Sequence, residues 1–132
     1  MGPKMEVSNN GEDHVLAWEM WNTSTQVPLI DINDTGKYLD PVLMDPEKYD
    51  GKNLTAATSF MTPAEMMESL SKVTGKKWIA KGASDPEAAS KINNEQYYYG
   101  STGKKDWEWT LAQMNEKPAM LETWFEANGP WP

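Results

Sequence analysis

The sequence predicts one small α+β domain, with a sheet of three to four short strands and four to five helices. Three observations carry that reading. The chain has 132 residues, enough for one core and not for two. It holds seven Trp and five Tyr, far more aromatic surface than a chain that stays disordered would carry. Short β-prone runs alternate with segments of helical spacing, and no internal repeat organises them.

Residues 1–13 are polar, and Asn9-Asn10-Gly11 is a turn signal, so this stretch reads as a flexible arm and the domain as 14–132. His14 to Trp21 reads as a strand because it is short and bounded by turn formers. Alternation then puts Val15, Ala17, Glu19 and Trp21 on one face and Leu16, Trp18 and Met20 on the other. Asn22 to Thr25 is a turn. Val27 to Ile32 is the next strand, with Pro28 placing its start at a sheet edge.

A helix should begin at Asn33 or Asp34, whose side chains can cap free first-turn amides. It carries Tyr38 and Val42 inward, with Leu39 and Leu43 as further candidates. Pro41 costs it one backbone bond, and Asp45-Pro46 ends it. After the Asp50-Gly51 turn, Lys52 to Thr58 is a short strand candidate. Thr62 to Thr74 is the clearest helix. Thr62 caps it, Pro63 takes the first helical position, Glu65 completes a capping box and Gly75 stops it in a left-handed turn.

Lys77 to Gly82 reads as a strand, and Asp85-Pro86-Glu87 opens a helix to about Gln96. Tyr97-Tyr98-Tyr99-Gly100 and a loop to Lys105 follow. Asp106 should cap a helix bearing Trp107, Leu111 and Met114. A final helix carries Leu121, Trp124 and Phe125 and stops at Asn128-Gly129-Pro130. Trp107, Trp109 and Trp124 follow helical spacing and read as core.

The formal net charge is -8, and all twelve basic residues are Lys. Phosphate-led nucleic-acid binding needs clustered cations, and an anionic membrane repels such a chain, so neither partner is expected. There is no Cys, which removes disulfides, thiolate zinc sites and cysteine nucleophiles. One His and scattered carboxylates suggest no metal constellation. No nucleophile elbow and no phosphate-cradling glycine loop stand in the sequence. No apolar run has signal-peptide or transmembrane character, and a cytoplasmic location is expected.

The candidate chemistry is sparse. His14 has the one side chain that ordinarily titrates near neutrality, and reads either as a surface residue or as an acid/base group at a pocket rim. Asp31 and Asp34 bracket a strand end and a helix start. There, Asp34 reads as a cap, and Asp31 as a turn bond or a ligand contact. Trp18, Met20 and Trp21 form an aromatic-thioether patch that suits either a core or the wall of an apolar pocket. Tyr97, Tyr98 and Tyr99 read as packed phenols or as hydrogen-bond donors to a ligand.

Five stretches carry a resemblance in one order. Pro28 to Tyr38 (PLIDINDTGKY), Asp45 to Lys52 (DPEKYDGK), the Met61–Lys77 helix with its KVTGKK end, Tyr98-Tyr99-Gly100, and Thr123 to Trp131 (TWFEANGPW) are similar to segments of NmrA-like proteins, which belong to the atypical short-chain dehydrogenase superfamily. The resemblance covers about Val15 to Trp131. It implies the C-terminal, substrate-side portion of such a protein. No G-x-G-x-x-G occurs, so the resemblance implies that the NAD(P)-binding Rossmann half is missing and that no cofactor binds. The Tyr-x-x-x-Lys pair of classical short-chain dehydrogenases is absent as well.

Two functions remain open. One is a cofactor-independent isomerase, cyclase or dehydratase of secondary metabolism, acting on an apolar metabolite. His14, Asp31, Tyr38 and Tyr98 would be its catalytic groups, Glu19 a further option, and Trp18, Met20, Trp21, Tyr97 and Tyr99 its substrate contacts. The other is a non-catalytic ligand-binding or regulatory module. A shifted acid or base beside Trp18 and Trp21 is what an enzyme needs and a binding module does not. In either case a homodimer or a bound ligand is expected to cover the exposed apolar surface.

Overall fold

The computed structural model describes residues 4–7, 13–91 and 106–131. Among them the architecture is α+β, as the sequence implies, with five short strands divided between two small sheets. The first sheet holds β1 (Lys4–Val7), β2 (His14–Ala17) and β5 (Trp78–Lys81). β1 runs antiparallel to β2, and β2 runs parallel to β5 with His14 opposite Trp78 and Leu16 opposite Ala80. The second is a ladder of β3 (Val27–Leu29) and β4 (Ser59–Met61), antiparallel with Val27 opposite Met61.

Six short α-helices accompany the strands among the described residues: α1 (Thr35–Met44), α2 (Pro46–Tyr49), α3 (Pro63–Thr74), α4 (Pro86–Lys91), α5 (Trp107–Gln113) and α6 (Leu121–Ala127). None is long and apolar enough to cross a membrane.

A parallel pair needs a helical crossover, and α3 supplies it. Its ends form as the sequence demands. Thr62 Oγ1 accepts from the Glu65 amide and Glu65 Oε2 from the Thr62 amide, while Pro63 fills the first position, where no donor is lost. Gly75 closes the helix at φ 70°, a conformation that a Cβ disfavours. The buried face of α3, Met66, Met67 and Leu70, meets β5 on one side and α6 on the other. With Trp18, Val27, Trp78 and Phe125 these residues form the core.

The structure departs from the sequence reading at several places. Residues 4–7, expected within a flexible arm, form the edge strand β1 on β2. β2 stops at Ala17 instead of continuing to Trp21, because its partner β5 ends at Lys81. Gly82 then lets the turn at 22–23 pass closely, since a Cβ there would lie 3.1 Å from the Thr23 nitrogen. The strand expected at 52–58 lies at Ser59–Met61, opposite β3. The preceding residues bond to α5 instead: the Thr55 amide donates to Thr110 Oγ1, and Trp107 Nε1 donates to the Ala57 carbonyl.

Helix α1 continues through Pro41 and buries Tyr38 and Pro41, leaving Leu39 and Leu43 outward. Trp109 is exposed rather than in the core, near the Tyr49 ring. α4 is described to Lys91, and its expected extension to Gln96 lies outside the described residues.

Candidate functional site

The sheet face bearing Leu16, Trp18 and Trp78, the buried face of α3 and the inner side of α6 do not close completely. They leave a cleft of about 490 Å³. Met5 stands at its edge, and Leu121, Trp124, Phe125 and Trp131 complete its wall. Among the described residues, every one that lines it is apolar. The volume lies within the roughly 300–1,000 Å³ of small-molecule sites.

Its aromatic walls are held in place. Trp78 Nε1 donates to Thr74 Oγ1 at 3.1 Å, and the Trp78 amide donates to Ser71 Oγ at 2.8 Å. Trp131 Nε1 donates to the Phe125 carbonyl at 2.8 Å, and its ring meets Phe125 edge-on at 5.5 Å. Each indole thus keeps its polar atom satisfied while its rings face the cleft.

A second cavity, about 210 Å³, lies where β3 ends and α6 begins. Leu29, Ile30, Asp31, Thr58, Ser59 and Ala119 line it, and Leu121 and Trp124 belong to both cavities. Next to it is a polar knot. The buried Asp34 carboxylate takes Lys37 Nζ at 2.8 Å on Oδ1 and the Ala119 amide at 2.7 Å on Oδ2. The hydrogen bond from Lys37 holds the Asp34 carboxyl below its ordinary value, with the Ala119 amide adding to it and burial opposing it. The same bond raises Lys37. Burial raises the Tyr38 phenol, partly offset by its contact with Thr58 Oγ1 at 3.4 Å.

The predicted residues fall in different places. Trp18 lines the cleft. Trp21 packs against the core without lining it, and Met20 is exposed. His14 is half-buried at the start of β2, its ring 4.6 Å from that of Trp78. Glu19 is exposed and accepts from Ser84 Oγ. Asp31 lines the smaller cavity and accepts the Asn33 amide on Oδ1, the turn bond the sequence suggests. Asp34 makes no side-chain cap, a correction to the sequence reading: its carboxylate turns inward to the knot. Asp106 likewise offers α5 its backbone carbonyl, to the Thr110 amide, and no side-chain cap. Tyr38 is buried under α1. Tyr97, Tyr98 and Tyr99 lie outside the described residues.

The structure therefore does not gather His14, Asp31 and Tyr38 into one site, and none of them lines the large cleft. What sequence reasoning missed is the rest of its wall. Met66, Leu70 and Trp124 carry a helical spacing that announces a buried face, and spacing alone does not separate a filled core from an open cleft.

One amide in the short helical turn Ile32–Asp34, and one each at the starts of α3 and α4, is bonded to Asp31, Thr62 and Asp85 respectively, while the start of α1 carries no side-chain cap.

A family model described as the NmrA-like family matches residues 2–113. No curated protein matches the chain. The family match runs over the N-terminal part of the chain. It corrects the expectation that the chain is only a C-terminal, substrate-side portion with its NAD(P)-binding half missing.

Proposed function

The chain belongs to the NmrA-like family, and on that premise we propose that it binds an apolar small molecule in the cleft between the first sheet, α3 and α6, without transforming it. One observation carries this reading: the cleft has the volume of a ligand site, and its described lining is wholly apolar. Desolvating a hydrocarbon or aromatic body against Trp18, Trp78, Trp124 and Trp131 would drive binding. Met66 and Met67 add side chains that adapt to irregular shapes.

The alternative, a cofactor-independent isomerase, cyclase or dehydratase, requires an acid or base in contact with the bound molecule. Among the described residues the cleft lining offers none. The groups with displaced proton affinities, Asp34, Lys37 and Tyr38, are bound to each other, to Thr58 and to the chain's own backbone. That pattern suits a structural tie better than proton transfer. A homodimer accompanies the proposal, supported by the exposed Ile32, Leu39, Leu43 and Met44 beside or on α1.

Native mass spectrometry of the chain incubated with decanol, and separately with an apolar metabolite extract, tests this reading. One retained molecule per chain, recovered chemically unchanged, is the expected result. Conversion of the retained molecule would restore the catalytic reading, and no retention would remove both.

A further inference from the structure

The two cavities share a wall. Leu121 and Trp124 line both the large apolar cleft and the smaller cavity that ends at Asp31 and Ser59. The smaller cavity differs from the cleft in its polar end. Asp31 accepts the Asn33 amide on Oδ1, and among the described residues its Oδ2 has no hydrogen-bond partner. The Ser59 hydroxyl is buried and has no partner among the described residues. A buried hydroxyl without a partner is unfavourable, and native structures normally satisfy it. The nearby cation, Lys37, acts on Asp31 only through its charge, while its short contact at 2.8 Å is to Asp34.

We infer that the ligand is an amphiphile, with its apolar body in the cleft and a hydrogen-bond-donating, cationic amine head that passes Trp124 and Leu121 to reach Asp31 and Ser59. This rests on the cleft being a ligand site and adds the chemistry of the head. A carboxylate only accepts, so the group meeting Asp31 Oδ2 must donate. A hydroxyl accepts as well as donates, so Ser59 takes a second ammonium proton by accepting it. An ammonium supplies three donors and a charge that the pair with Asp31 strengthens. The formal net charge of -8 on the chain favours the same sign of ligand. A carboxylate head would meet Asp31 with repulsion and leave it without a donor.

The test is a calorimetric titration of the full chain with three probes of one tail and different heads: decylamine, decanol and decanoate. The same titrations are run on Asp31→Asn, which keeps the oxygen that accepts the Asn33 amide. Decylamine should bind tightest and decanoate weakest. Asp31→Asn should weaken decylamine about tenfold, as expected for losing a charged hydrogen bond, and leave decanol unchanged. Ser59→Ala should weaken decylamine by a smaller factor.

Equal binding of the three probes, or a decylamine affinity that Asp31→Asn leaves unaltered, would overturn the assignment of the head while the apolar cleft stands. Failure of all three probes to bind would remove the cleft reading and this inference with it.

Discussion

The apolar cleft and the Asp34 knot meet at the residues leading into α6, and they are built by opposite means. The cleft is bounded by side chains from the strands β1, β2 and β5, the helices α3 and α6, and the chain end at Trp131, and its described lining is apolar. The knot is five groups with directional bonds: Asp34, Lys37, the Ala119 amide and, beside them, Tyr38 on Thr58. Dispersion and desolvation tolerate imperfect fit and leave room for a guest. A charge-assisted bond does not, because its strength depends on distance and on satisfied partners. The molecule thus keeps its adaptable surface where a ligand would enter. The rigid tie sits where α1 must be anchored to the segment before α6.

Substitutions can break this contrast at either end. The largest effect is expected at Trp78, which belongs to the core and also lines the cleft. Trp78→Ala should cost about 3–5 kcal/mol in urea unfolding, with the slope unchanged. A loss below about 1 kcal/mol would mean that the cleft wall is not part of the core.

Asp34→Ala should cost about 1–3 kcal/mol, because it leaves the Ala119 amide and the Lys37 ammonium without their acceptor. Its pH dependence sharpens the contrast. The folded carboxyl of Asp34 lies below its ordinary 3.8, so its contribution is complete above that value and is lost as pH falls through the folded one. Lys37 is raised above 10.5, so its contribution is complete below that value and is lost as pH rises through the folded one. The difference between wild type and Asp34→Asn, followed by urea unfolding, should hold a plateau at neutral pH and shrink in acid. The same series with Trp78→Ala should show no such closing in acid. A flat Asp34→Asn profile down through the acid range would contradict the tie.

Thr62→Ala should cost about 1 kcal/mol through the lost cap of α3, read from the same unfolding curves. The smallest effect is expected from Tyr38→Phe, no more than about 1 kcal/mol, since its contact with Thr58 is long at 3.4 Å. A larger loss there would show that the phenol does more than fill space under α1.

How much of this the sequence disclosed follows the range of the forces involved. α3 was legible to the residue, because its capping box, first-turn Pro63 and terminal Gly75 act within a few positions of each other. The α+β class followed from the same local signals. The bond from Asp34 to the Ala119 amide joins residues 85 positions apart, and no local pattern announces it. A local rule favoured Asp34 as a cap, and a tertiary partner took its carboxylate instead. Likewise β2 looked long enough to reach Trp21, but the length of its partner β5 sets where it ends. Of the aromatic patch at 18–21, the turn that follows Ala17 leaves only Trp18 on the cleft. Of the cleft, the sequence offered Trp18 as either core or pocket wall, while its other walls read as ordinary core.

The most direct test of the central claim is a calorimetric titration of the chain with decanol at several temperatures, repeated on Leu16→Lys. Saturable one-to-one binding is predicted, with a negative heat-capacity change from buried apolar surface. It should weaken by about tenfold or more when a lysine is placed in the lining. Absence of saturable binding, or binding that Leu16→Lys leaves unchanged while the variant stays folded, would show that the cleft is not where an apolar molecule binds.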